Sequence, residues 1–153
     1  MLKDDKWFCD TCGKAIERVQ DGWVEWVTYT DKEGRHTARD LRLVHFRPDC
    51  YFNDQVEHSK DGGGVSDLPL KSFLGIDGLM YLLCKISQGE IPTGQLLEMI
   101  KRLHIPGYEI ARRHFDKALR KGIIEQEWYP GYYTQEQISL VLSQNWPDDF
   151  SDV

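Results

Sequence analysis

Two short stretches of this chain carry residues able to bind a soft metal. Cys9-Asp10-Thr11-Cys12-Gly13 sets two thiols on either side of a two-residue turn, and His45-Phe46-Arg47-Pro48-Asp49-Cys50 adds an imidazole and a third thiol. A Cys-x2-Cys turn brings both sulfurs to the same side, and Gly13 lets the backbone leave it without a Cβ clash. Three thiolates and one imidazole form the closed tetrahedral set of a structural Zn²⁺. The expected cofactor is therefore one structural zinc on Cys9, Cys12, His45 and Cys50. His36 and His58 are the alternative imidazoles; both read as surface residues, one in the hairpin turn region and one after the following helix. A redox pair at Cys9 and Cys12 would need a βαβ setting, which the sequence lacks. A disulfide would need an oxidising compartment, and no signal peptide is read.

The interval between the two pairs must bring them together. Trp23 to Thr30 is aromatic and β-branched, which suits a strand, and Asp31-Lys32-Glu33-Gly34 is turn chemistry. Leu41 to Phe46 alternates, with Leu41, Leu43 and His45 on one face and Arg42, Val44 and Phe46 on the other. The second ligand pair thus arrives on the return strand of a hairpin. Pro48 and Asp49 stand where a helix can begin, so Cys50 to Val56 is expected to form its first turns. Knuckle, hairpin and a ligand in the first turn of a helix resemble the treble-clef class of zinc fingers over about residues 7 to 58.

After His58 the run Ser59-Lys60-Asp61-Gly62-Gly63-Gly64-Val65-Ser66-Asp67 reads as a flexible connection. The chain is accordingly read as a zinc module over 1–58, a Gly-rich linker over 59–67, a mainly helical module over 68–146 and an acidic tail over 147–153. In the helical module Asp77 can cap an apolar helix running to about Ser87 and ended by Gly89. Cys84, within that apolar run, reads as a small buried hydrophobe. Thr93 can cap a second helix with Leu96, Leu97, Ile100 and Leu103 on its inner face and Glu98, Lys101 and Arg102 outside. A third runs from about Tyr108 to Lys121, with Ala111, Phe115, Ala118 and Leu119 inward and Glu109, Arg112, Arg113, Asp116, Lys117 and Arg120 outward. Residues 123–134 read as two strands joined at Tyr129-Pro130-Gly131, and Gln135 to about Gln144 as a closing helix with Ile138, Val141 and Leu142 inward. Three helices followed by a hairpin resemble a winged helix-turn-helix domain over about residues 73 to 144. The fold class is α+β, a zinc-stabilised hairpin module followed by a winged-helix-like module.

Composition narrows the function. The chain has 153 residues, 41% hydrophobic and 12% aromatic, enough for one domain or two small ones. No run approaches the ~18 apolar residues of a membrane span, and the cytoplasm is the expected location. A net charge of −6 argues against coating nucleic acid by charge alone. No phosphate-cradling loop or catalytic constellation is present, and a Cys3His set leaves no open position for substrate; an enzyme is not expected. From Lys101 to Lys121, however, seven residues are basic and two acidic. The winged-helix resemblance implies that Arg112, Arg113, Lys117 and Arg120 contact nucleic acid, making the protein a regulator. The other reading is a protein-interaction module or inhibitor of a nucleic-acid enzyme, of the kind a mobile element encodes. Its contacts would be Trp128, Tyr129, Tyr132 and Tyr133, with one of Trp23 and Trp26 as a further exposed aromatic. An oligomer is compatible with either reading.

Overall fold

The computed structural model describes residues 6–147, and the chain divides into two compact units, Lys6–His104 and a second that begins at Ile105. The architecture is α+β, as expected. The readings made for the first five residues and for most of the acidic tail lie outside the described residues. Among the described residues no helix is long and apolar enough to cross a membrane.

In the first unit, β1 (Trp7–Phe8) and β2 (Ala15–Ile16) pair antiparallel on either side of the Cys9–Cys12 turn. β3 (Gly22–Thr30), β4 (His36–His45) and β5 (Gly64–Pro69) form an antiparallel sheet in the order β4-β3-β5. The β3–β4 turn is fixed by Asp31, whose carboxylate accepts the N–H groups of Glu33 and Arg35. A bulge interrupts the ladder opposite Trp26, and Asp40 takes a positive φ of 56° there. Bulges leave ladder groups unpaired, and the Leu41 N–H is met instead by Gln95 Oε1 at 2.9 Å. Three helices complete the unit: α1 (Asp54–Asp61), α2 (Gly75–Gln88) and α3 (Thr93–His104).

β3 is the central strand and is covered on both faces, so Val24, Glu25, Trp26 and Val27 are buried in succession. Trp26 turns toward α2, where the Lys85 ammonium lies 5.3 Å from its ring. On the other face Glu25 receives the Phe52 N–H. One cluster unites Trp7, Ile16, Val24, Trp26, Leu43 and Val44 with Phe73, Leu82, Leu96 and Met99. Sheet, knuckle, α2 and α3 thus share a single core.

That shared core corrects several expectations. The 59–67 stretch is not a linker: α1 ends at Asp61, Gly62 caps it in the left-handed conformation (φ 74°), and Gly64 starts the third strand. Gly63 is buried, and a Cβ there would fall 2.8 Å from the Thr28 carbonyl oxygen; these glycines serve a cap and a close approach. The boundary falls near His104–Ile105, because α2 and α3 bury their apolar residues against the sheet. The first helix begins at Asp54 behind an Asn53 cap, so Cys50 lies in the preceding turn and not in a helix. On α2, Cys84 is exposed together with Ile76, Met80 and Leu83, because Leu82 and Gly78 face inward. On α3, Met99 is buried where Leu97 is exposed, and Arg102 is buried, not outward. Trp26 is core, and Trp23 is half-buried and stacked on Phe46 at 4.6 Å, so neither is a free contact aromatic.

The second unit contains α4 (Tyr108–Ala111), a 3-10 turn (Arg112–His114), α5 (Phe115–Arg120) and α6 (Gln135–Leu142). The single helix expected from Tyr108 to Lys121 is broken at His114 (φ −121°, ψ 0°), whose ring stacks on Trp146 at 4.8 Å. Its inner face is as expected, with Ala111, Phe115 and Ala118 buried, but Glu109 is also buried. Ile138 and Val141 of α6 are core, whereas Leu142 is exposed. Among the described residues no strand forms over 123–134. The anticipated helices divide between two units and the hairpin is missing, so the winged-helix resemblance gains no support from the element layout.

Candidate metal centre and contact surface

β1 and β2 close the Cys9–Cys12 turn into a knuckle: the Cys9 N–H bonds the Lys14 carbonyl at 3.0 Å and the Gly13 N–H bonds the Cys9 carbonyl at 2.9 Å. Gly13 supports this turn with φ 74°, a left-handed conformation that costs glycine little. β4 delivers His45 at its last residue, and a tight turn in which the Cys50 N–H bonds the Arg47 carbonyl at 2.9 Å returns the third sulfur. The donor atoms of Cys9, Cys12, His45 and Cys50 all lie within 4.8 Å of one another.

The geometry suits a tetrahedral ion. Bonds near 2.3 Å to sulfur and 2.0–2.1 Å to nitrogen place donor atoms roughly 3.5–3.8 Å apart. His45 Nδ1 lies 3.4 Å from Cys12 Sγ and 3.9 Å from Cys50 Sγ. Its Nε2 lies 3.0 Å from the Ala15 carbonyl oxygen. An Nε2–H donated there leaves the Nδ1 lone pair for a metal, the usual arrangement of a ligating histidine. His36 and His58 are elsewhere: His36 Nε2 is 3.3 Å from Glu90 and His58 Nδ1 is 3.2 Å from the Gly63 carbonyl oxygen.

Charged and polar neighbours hold these four donors in place, and most of them are not legible in the sequence. Arg47 donates to Cys50 Sγ at 3.3 Å and Cys12 Sγ at 3.6 Å, placing a cation beside two thiols. At Cys12 burial opposes ionisation, but bonds from the Lys14 backbone, Cys9, Cys50 and Arg47 outweigh it and lower the thiol pKa. At Cys50 burial prevails, and the thiol is raised despite Arg47. The Cys50 carbonyl accepts Thr11 Oγ1 at 2.6 Å and Arg42 at 3.2 Å. Arg42 in turn pairs with Glu25 at 2.7 Å. Asp10, inside the knuckle, accepts the Leu43 N–H at 2.8 Å and the Arg102 guanidinium at 2.8 Å. No spacing rule marks Glu25, Arg42 or Arg102; of the residues named, only Asp10, Thr11 and Arg47 stand inside the Cys9–Cys12 and His45–Cys50 pairs.

The remaining candidates lie in the second unit. Arg112 and Arg113 occupy the 3-10 turn, while Lys117 and Arg120 belong to α5. Arg113 and Arg120 are exposed and Arg112 and Lys117 half-buried; the Lys117 ammonium sits 6.0 Å from the Trp146 ring centroid. Of the four aromatics, Tyr133 stacks on Phe115 at 3.7 Å and belongs to the core margin. Trp128, Tyr129 and Tyr132 are 94%, 72% and 54% exposed. Their loop is held at both ends. Gln137 donates to the Glu125 carbonyl at 3.0 Å, and Thr134 and Gln137 form a capping box on α6. Between these anchors three aromatic rings project from a fixed base. Along the chain the flanking charge is of one sign: beyond Lys121 the sequence has no Lys, Arg or His, and Glu125, Glu127 and Glu136 flank the loop.

Comparison with protein-family models, curated proteins and solved structures finds no match to this chain.

Proposed function

We propose that this is a zinc-stabilised binding protein, not an enzyme, that engages a basic surface of another protein through the acidic aromatic loop around Trp128, Tyr129 and Tyr132. The observation that carries this reading is the loop itself: three large rings stand in solvent on an anchored base, and the charged residues next to them in the sequence are all acidic. Exposed Trp and Tyr at low conformational cost are what protein hot spots are made of. Acidic neighbours repel a phosphate backbone and favour Lys and Arg, which also bind over aromatic faces. Surfaces that hold nucleic acid are basic, so the fitting partner is a nucleic-acid-handling protein, and blocking such a surface would inhibit it. The metal centre then has a structural role, since its closed donor set leaves no position for substrate.

Nucleic acid bound directly by Arg112, Arg113, Lys117 and Arg120 is the competing reading, and one experiment separates them. A photocrosslinking residue in place of Tyr129 should capture a basic protein in cells. Trp128→Ala with Tyr132→Ala should weaken binding to that purified protein roughly thirtyfold, the ~2 kcal/mol of a hot spot. Random duplex DNA should not bind at low salt. Salt-dependent DNA binding that is lost in Arg113→Ala with Arg120→Ala, with no effect of the aromatic substitutions, would overturn the proposal in favour of the regulator.

A further inference from the structure

The buried Arg102 ties the knuckle to α3, and we infer that metal occupancy and docking of the α2–α3 layer are one cooperative event relayed by the Arg102–Asp10 pair. Arg102 is 6% exposed. Its guanidinium reaches across the fold to Asp10 Oδ2 at 2.8 Å and to the Phe8 carbonyl at 3.1 Å. Both acceptors belong to the knuckle: Phe8 precedes Cys9, and Asp10 lies between the two cysteines. Asp10 is itself held, since its N–H bonds the Leu43 carbonyl at 2.7 Å and its carboxylate takes the Leu43 N–H at 2.8 Å. One carboxylate oxygen thus joins the ligand turn, the strand that delivers His45, and α3.

The energetic consequence follows from burial. A guanidinium this far from water depends on its partners, and loss of them is strongly destabilising. Without an ion the Cys9–Cys12 turn loses the bond network that shapes it, because metal binding in such sites is largely folding energy. Displacing the turn takes Asp10 Oδ2 and the Phe8 carbonyl from Arg102 together, which loosens the hold of α3 on the sheet. The relay runs the other way by linkage: a change that frees Arg102 weakens the hold on the metal. Partners in the shell around ligands typically alter metal affinity ten- to a hundredfold. Arg102 and Asp10 are positioning residues here; neither is a ligand.

Two measurements on the full chain test this. The first is hydrogen exchange of the wild-type protein before and after chelation. Amides of α3 should lose protection together with those of Asp10 and Gly13, while those of α6 keep theirs. Protected α3 amides in metal-free protein would overturn the coupling, and this arm needs no variant. The second is the rate of metal transfer to a coloured chelator. Arg102→Ala and Asp10→Asn should each release metal at least tenfold faster. The double variant should release it no faster than the worse single one, because both remove one interaction. Multiplying effects, or single variants that release metal at the wild-type rate, would remove the pair as the relay.

Discussion

Glu25 has no solvent exposure, yet it is a carboxylate in the central strand. Burial pushes its pKa up, against the Phe52 N–H and the Arg42 guanidinium that favour the anion. Its oxygens accept both groups, at 3.0 and 2.7 Å, and Arg42 also holds the carbonyl of Cys50. Removing one member of such a set leaves buried donors unpaired, which costs more than the set contributes. Glu25→Ala should therefore lower unfolding free energy by about 3 kcal/mol in urea titration, with Glu25→Gln, which can still accept both bonds, costing less than half of that. Equal losses in the two variants would mean that volume and not hydrogen bonding decides this position. The ligands were legible because chemistry fixes their type and spacing. Glu25 and Arg102 were not, since a period-based reading puts every charge outside and only a partner distant in sequence makes an inward charge tolerable.

At the scale of elements, Arg39 joins β4 to α1. Its guanidinium meets Glu57 at 2.9 Å and Asp61 at 2.9 Å. For Asp61 the Arg39 bonds lower the carboxyl pKa; for Glu57 burial works against them, but Arg39 and Lys60 prevail and the pKa is lowered too. Folded values below the unfolded ones mean that the native state binds these protons more weakly. The stabilisation is complete above the ordinary carboxyl values, about 4, and is lost as pH falls through the lowered ones. Arg39→Ala should lower the urea midpoint at pH 7, and the difference from wild type should shrink as the pH approaches 3. A difference that is constant with pH would show that Arg39 acts through packing alone. Helix existence was readable here, and Gly89 ends α2 as expected, but α2 starts at Gly75 and not behind an Asp77 cap, and Thr93 is the first residue of α3 and not its cap. Strand β5 was not, because three glycines in polar company read the same way in a linker and in a cap followed by a close-packed edge strand. The hairpin anticipated at 123–134 failed for the opposite reason. Its aromatics and turn residues suited a strand pair, but Tyr133 found Phe115 and Glu125 found Gln137, and the backbone never paired.

For the whole molecule, the consequence of the shared core is that the candidate metal centre belongs to a unit of sheet and three helices, Lys6–His104, and not to a small separate finger. Periodicity says which face of a helix is buried but not which element buries it, so α2 and α3 could not be assigned to the knuckle from sequence. The second unit carries its own cluster of Tyr108, Ala111, Phe115, Ala118, Ile124, Ile138 and Val141. The central claim is that one ion holds the first unit together, and elemental analysis of purified protein beside its circular dichroism tests it most directly. Wild-type protein should carry about one zinc per chain, the stoichiometry of a single four-ligand site. Cys50→Ser should carry none, and should lose the helical signal of α2 and α3 while retaining that of the second unit. Metal-free wild-type protein with an unchanged spectrum and melting temperature would contradict the account.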